Sequence, residues 1–176
     1  INMNILLKNM DIITVDDDGS RLVKNTNVGI SGGLVGFIDT TGEKSAGFKA
    51  DRVIDGKNKL AMPGLVNAHT HCAMTILRNF ANDLQLEEWL FKKVFPAEDK
   101  LTDDDIYWGT LLGISEMIKS GTTAFADMYL HMDYVAQAVL ESGTRANLSR
   151  SPLTFKGCDE IEIINEMEFC LDYHKQ

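Results

Sequence analysis

Basic residues, cysteines and long apolar runs are all scarce in this chain of 176 residues. Its 17 Lys and Arg face 26 Asp and Glu, and the resulting net charge of −9 argues against nucleic acid or an anionic membrane as a partner. No apolar stretch approaches the roughly 20 residues of a membrane span, and no basic-then-apolar leader opens the sequence. We therefore expect no nucleic-acid partner and no membrane partner.

The three cysteines, Cys72, Cys158 and Cys170, are odd in number and lack metal-ligand spacing. An extracellular disulfide framework would need an even set, so we expect reduced thiols in a cytoplasmic protein. The remaining composition is 44% apolar with only 14 Gly and 3 Pro. Such a composition and length are typical of one folded globular domain, or of a domain plus part of another.

Two histidines one residue apart, His69 and His71, carry the main chemical signal. They follow a short apolar, β-prone run at 65–68, which a Pro-Gly turn precedes. Residues i and i+2 of a strand point to the same face, so both rings should emerge side by side at the end of this strand. Paired neutral imidazoles can hold one divalent metal, typically zinc. Cys72 comes next, but a strand would direct its side chain to the opposite face.

The first 61 residues have the pattern of short strands separated by Gly and Asp turns. The acidic run Asp16 to Asp18, followed by Gly19, favours a solvated hairpin turn over a cation site, because no further ligands stand at loop spacing. The predicted strands are 5–7, 12–15, 28–30, 34–38 and 52–55.

From residue 62 onward strands and helices alternate, which predicts an α/β fold with parallel strands and right-handed helical crossovers. Thr102 is a good N-cap for the helix that follows. Asp103 to Asp105 stand in its first turn, where negative charge is stabilised by the positive end of the helix dipole, so these carboxylates are expected to cap the helix and not to act in catalysis. The predicted strands are 65–71, 122–128 and 144–149, and the predicted helices are 73–79, 86–94, 103–120, 134–141 and 159–173.

The stretch 63–71, PGLVNAHTH, resembles the opening of the amidohydrolase superfamily. Its continuation is similar to the 5′-methylthioadenosine/S-adenosylhomocysteine deaminases, although chlorohydrolase-like and other aminohydrolases share much of the pattern. The matching stretches are 74–78, 88–90, 96–98, 120–123 and 127–129. The resemblance implies an N-terminal β-sandwich part at 1–61 and, at 62–176, the first three strand–helix units of a (β/α)8 TIM-type barrel.

The resemblance also implies roles for single residues. His69 and His71 would be two zinc ligands, and Trp89 would line a nucleoside pocket. Glu98 would accept hydrogen bonds from ribose hydroxyls, and Arg150 would face the substrate tail. The family reaction is hydrolytic deamination of adenine by a zinc-activated water.

Four further residues have lesser expected roles. Asp127 and Asn67 are expected to orient the zinc ligands, since such ligands usually donate their other ring N–H to an oxygen. His131 is expected in a packing or surface role, and His174 at the surface.

The chain departs from the family pattern by stopping after about three strand–helix units, whereas a full barrel takes about 250 residues. The family's other metal ligands and its acid/base residues are expected beyond residue 176. We therefore expect the N-terminal part of an enzyme, inactive alone, with weak or absent zinc and self-association through open barrel edges. A guanine deaminase, a chlorohydrolase acting on a triazine ring and a non-catalytic folded piece remain as alternatives.

Overall fold

The computed structural model describes residues 3–150 and, beyond them, residues 161, 164, 165 and 168. The chain divides into two compact units, Ile1–Pro63 and Gly64–Gln176. The predicted helix at 159–173 lies outside the described residues except at those four positions. No helix of the described part combines the length and apolar character that a membrane crossing requires.

The first unit is a five-stranded mixed sheet in the order β3-β2-β1-β4, with β5 pairing β1. Its buried apolar residues include Leu6, Met10 and Val28. Its elements are β1 Ile5–Asp16, β2 Gly19–Ser31, β3 Leu34–Asp39, α1 Glu43–Ala46, β4 Arg52–Asp55 and β5 Leu60–Ala61.

The two strands predicted at 5–7 and 12–15 are one strand, because pairing with β2 continues across irregularities around Met10. Asn9 adopts a positive φ of 59°, which interrupts the strand pattern without ending the strand. The acidic run forms the tight β1–β2 turn, with Asp16 paired to Gly19, so the predicted hairpin is confirmed.

Asp39 closes β3 and fixes the loop that follows it. Its Oδ1 accepts hydrogen bonds from the backbone N–H groups of Thr41 and Gly42 at 3.1 and 2.9 Å and from the Thr41 hydroxyl at 3.1 Å. Its Oδ2 accepts from the N–H and the hydroxyl of Ser45 at 2.9 and 2.8 Å. Burial alone would raise the pKa of Asp39, but these hydrogen bonds outweigh it and hold the pKa well below its usual range.

The second unit contains three parallel strands in the order β6-β7-β8, with helices in the connections. Its strands are β6 Leu65–Thr70, β7 Thr122–Met128 and β8 Arg145–Ser149, and its α-helices are α2 Phe95–Glu98, α3 Asp103–Ser120 and α4 Met132–Ser142. Within the described residues β6 and β8 are the sheet edges, and Leu65 and Val66 of β6 are exposed.

Helix α3 begins and ends where the sequence predicts. Thr102 is its N-cap and forms a capping box with Asp105, and Gly121 ends it in the left-handed conformation with φ 88°. Ile106, Thr110 and Ile114 are buried along its inner face.

Two predicted helices have a different hydrogen-bond period from the α-helix. Residues Cys72–Leu77 form a 3₁₀-helix, and Glu88–Val94 form a π-helix in which the N–H of Phe95 donates to the carbonyl of Leu90 five residues back. Pro96 has no N–H to donate, so it interrupts the regular ladder at this junction. A hydrophobic pattern of six or seven residues marks a helix but does not report its hydrogen-bond period.

Glycines on α3 allow the 3₁₀-helix to lie close against it. A Cβ on Gly109 would stand 2.5 Å from the carbonyl oxygen of Ala73, and one on Gly113 would stand 2.5 Å from the sulfur of Cys72. The segment that follows His71 is thereby held against α3 by direct backbone and side-chain contact.

Candidate active site

The two histidines meet at the carboxyl end of β6. His69 lies within the strand and His71 immediately follows it, and their ring centroids are 5.1 Å apart with the planes at 80°. The rings therefore stand side by side, as the i, i+2 spacing predicts.

The backbone of the neighbouring strand fixes the ring of His71. Its Nδ1 lies 2.6 Å from the carbonyl oxygen of Met128, the last residue of β7. A carbonyl oxygen can only accept, so Nδ1 carries the proton of this hydrogen bond. The Nε2 atom of the neutral ring then keeps its lone pair for a ligand.

Asp127 lies one residue earlier on β7, and the residue is only 2% exposed. Its Oδ1 accepts a hydrogen bond from the backbone N–H of Cys72 at 3.1 Å and so anchors the residue after His71. Its Oδ2 is buried and makes no hydrogen bond within the described part of the chain. Burial raises the pKa of Asp127, while the Cys72 N–H and the charges of His71 and His69 act to lower it. A hydrogen-bond donor or a cation placed beside this oxygen would satisfy it.

Asn67 and Cys72 take structural contacts next to the histidines. The Asn67 side chain accepts from the backbone N–H of His69 at 3.4 Å rather than from a ring. The Cys72 sulfur lies 3.5 Å from the carbonyl oxygen of Thr110 on α3, and burial raises the pKa of its thiol to about 12.

A cavity of about 220 Å³ opens beside His71. Three of the residues that the sequence singled out, His71, Trp89 and Glu98, lie on its wall. The π-helix and α2 carry Trp89 and Glu98, and the segment after β7 closes another side. The remaining lining residues are Met74, Leu90, Val94, Phe95, Met128, Tyr129 and Leu130. This cavity is largely apolar, and its ionisable groups are the imidazole of His71, the carboxylate of Glu98 and the phenol of Tyr129.

Glu98 is held by a residue to which the sequence assigned no role. The hydroxyl of Tyr129 donates to Glu98 Oε1 at 2.7 Å. Tyr129 directly follows the carboxyl end of β7, where barrel enzymes place functional groups, so its position was the available signal.

Three other residues lie away from the cavity wall or outside the described residues. Arg150 follows β8 and is partly buried, but it is not among the lining residues. His131 is exposed at the N-cap of α4 in a left-handed conformation, and its Nδ1 lies 2.9 Å from Asp103. His174 lies outside the described residues.

Among the residues that the structure describes, no group of three or more His, Cys, Asp or Glu side chains is placed to hold a metal ion. Zinc in proteins takes four ligands, of which His69 and His71 could supply two. These two residues could therefore provide half of the ligands of a zinc ion.

Sequence comparison finds a family and named relatives. Residues 60–174 match the amidohydrolase family. A 5-methylthioadenosine/S-adenosylhomocysteine deaminase from Acetivibrio thermocellus is 60% identical over 174 residues, which are 99% of this chain and 39% of that protein. The chain therefore spans about two fifths of the length of that relative.

Structure comparison finds the same fold in longer proteins. An adenosine deaminase from Xanthomonas campestris with bound zinc matches 96% of this chain and 39% of its own, with a TM-score of 0.82 and 27% identity. An atrazine chlorohydrolase from Arthrobacter aurescens complexed with zinc matches 98% of this chain and 43% of its own, with a TM-score of 0.81 and 22% identity. The second likeness is one of fold alone.

Proposed function

This chain belongs to the amidohydrolase family, and we propose that the protein containing it is a zinc-dependent aminohydrolase. Its substrate would be S-adenosylhomocysteine or 5′-methylthioadenosine, and its reaction the hydrolytic release of ammonia from the adenine ring. The observation that carries the proposal is the single cavity that joins His71, Trp89 and Glu98 beside a second histidine. The 60% identity to a deaminase of this specificity supports the choice of substrate.

The fold supports a corresponding architecture. We infer that residues 1–61 contribute the N-terminal part of a β-sandwich and that 62–176 form the first three strand–helix units of a (β/α)8 barrel. Three adjacent parallel strands in sequence order, joined to one another by helical connections, are what such a barrel begins with.

His69 and His71 would hold the zinc, with further ligands from the rest of the longer protein. The hydrogen bond from His71 Nδ1 to Met128 leaves Nε2 available, and the carboxyl of Asp127, the residue before Met128, keeps one oxygen without a partner in the described part of the chain. When bound, zinc lowers the pKa of a coordinated water and so supplies a nucleophile near neutral pH.

The cavity residues would bind and orient the nucleoside. The Trp89 indole offers a flat apolar surface for the purine, and the methionine and leucine side chains suit a thioether. The Glu98 carboxylate is an acceptor for ribose hydroxyls. Arg150, which follows β8, would pair with a carboxylate on the substrate tail. The proton-transfer residues would come from later strands, so the 176-residue chain alone would be inactive.

Ammonia release by the full-length protein tests this proposal. We expect turnover of 5′-methylthioadenosine and S-adenosylhomocysteine, and we expect Glu98→Ala mainly to raise KM, by about tenfold or more. Glu87→Ala, which removes an exposed carboxylate of the preceding segment, is the matched control and should leave KM unchanged. Deamination of guanine, or chloride release from a triazine, without turnover of either nucleoside would replace the proposed substrate class.

A further inference from the structure

Tyr129 connects the segment that holds the His71 imidazole with the carboxylate of Glu98. It follows Met128, whose carbonyl oxygen binds His71, and its own hydroxyl donates to Glu98 at 2.7 Å. Its ring centroid lies 6.3 Å from that of His71. Two consecutive residues therefore hold an imidazole and a carboxylate on the same cavity wall.

The Tyr129 ring is a rigid support. The residue is only 7% exposed and packs in an apolar cluster with Ala73, Ile106, Met132 and Val135. Because the ring is fixed by this packing, the position of its hydroxyl is fixed as well.

Glu98 without this contact would be poorly placed. It ends the four-residue helix α2, and a glutamate side chain has three rotatable bonds whose freedom must be lost on binding. The hydroxyl occupies one acceptor position of Oε1, which leaves Oε2 and the second lone pair of Oε1 to accept from a bound molecule. Burial, together with the Glu98 carboxylate, raises the pKa of Tyr129, so the hydroxyl stays a donor throughout the neutral range.

We propose that Tyr129 is a positioning residue that fixes the Glu98 carboxylate in the cavity and thereby sets a preference for nucleosides with both ribose hydroxyls. The inference rests on the proposed function, in which Glu98 accepts from those hydroxyls. Recognition of the sugar would then depend on Tyr129, which directly follows β7. The preceding residue, Met128, holds His71 through its carbonyl oxygen.

The test compares two substrates in the full-length protein with Tyr129→Phe. This change keeps the ring in the cluster and removes only the hydroxyl. For 5′-methylthioadenosine we expect kcat/KM to fall by about tenfold, mostly through KM, because a hydrogen bond to a charged group is lost. For the 2′,3′-dideoxy analogue we expect a change of less than about twofold. Equal losses on both substrates, or no loss on either, would overturn the proposal.

Tyr107→Phe is the matched control. The Tyr107 hydroxyl also donates to a glutamate, Glu141 at 2.5 Å, but that pair joins α3 to α4 and does not line the cavity. We expect this variant to retain the wild-type ratio of kcat/KM for the two substrates. In a Glu98→Ala background, Tyr129→Phe should cause no further loss, since its effect acts through that carboxylate.

Crystal structures separate this inference from the proposed function. In the Tyr129→Phe variant we expect the Glu98 carboxylate to leave its position in the cavity, whereas in Tyr107→Phe it should stay. A carboxylate that keeps its place without the hydroxyl would overturn the positioning role even if nucleosides are turned over. If wild-type protein turns over no nucleoside, the proposed function fails, and the Glu98 position still decides whether Tyr129 fixes it.

Discussion

The Nδ1 atom of His71 lies 2.6 Å from the carbonyl oxygen of Met128. This contact joins the first and second strands of the parallel sheet at their carboxyl ends, and it selects the neutral tautomer with the proton on Nδ1. Backbone carbonyls commonly orient metal-binding histidines in this way, because the hydrogen bond fixes both the ring plane and the free nitrogen.

The zinc content of the full-length protein should depend on His71 and not on His131. If His71 is a direct ligand as proposed, His71→Ala should lower bound zinc by tenfold or more and abolish ammonia release. His131→Ala removes an exposed imidazole that pairs with Asp103, and it should keep both zinc and activity. Elemental analysis after gel filtration measures the metal. Full zinc in the His71 variant would exclude that residue from the ligand set.

The isolated 176-residue chain should bind zinc weakly. His69 and His71 would supply two ligands, and the described residues offer no third His, Cys, Asp or Glu side chain in a suitable group. We expect well under one zinc per chain after dialysis and no ammonia release above background. One tightly held zinc per chain, lost on His69→Ala, would mean that a further ligand completes the site within this chain.

Stability should fall in acid partly through Asp39. Its pKa is lower in the folded chain than its ordinary value of 3.8, so the unfolded state binds more protons in acid. The stabilisation is therefore complete above about pH 5 and is lost as the pH falls through 3.8 and below. Asp39→Asn should lower the melting temperature at pH 6 and flatten its decline between pH 6 and 2.5, followed by circular dichroism. Asp17→Asn, in the exposed hairpin turn, should leave that profile unchanged.

Alanine at Gly109 or Gly113 should destabilise the second unit. Gly→Ala in a helix ordinarily stabilises by about 0.5–1 kcal/mol, but here the new methyl group would overlap Ala73 or Cys72 at a cost of about 1–3 kcal/mol. Gly109→Ala should cost more, because its neighbour is a backbone oxygen that cannot rotate away. Denaturant unfolding gives the free energies, and Ser115→Ala on the exposed face of α3 is the control. Increased stability in both glycine variants would contradict the close contact.

Self-association of the isolated chain should depend on β6. Val66 is 68% exposed on β6, which is an edge strand of the sheet as far as the structure describes it. Exposed apolar edge strands favour pairing between chains. We expect Val66→Lys to shift the light-scattering mass toward the monomer at a given concentration. Leu140→Lys changes a comparably exposed apolar residue on α4 and should shift it less. A wild-type chain that is monomeric at high concentration would refute this prediction.

The sequence predicted those parts of the fold that local chemistry determines. Helix α3 was predictable from Thr102 and Gly121, because capping and left-handed termini act within a few residues. The side-by-side placement of His69 and His71 was predictable because a strand has a period of two. Two other contacts were not predictable, because they join residues far apart in the sequence. Tyr129 and Glu98 are 31 residues apart, and Met128 and His71 are 57 residues apart. The π-helix was also missed, because its pattern over seven residues matches that of an α-helix.

The π-helix makes chain length in this segment as important as residue identity. Trp89 and Glu98 line one cavity, and the backbone between them holds a wider turn than an α-helix has. Deleting one residue between them would rotate the indole by about 100° around the helix axis relative to the carboxylate. Conservative side-chain replacements along 88–94 would leave that angle intact. Among related chains we therefore expect insertions and deletions to be rarer here than amino-acid substitutions.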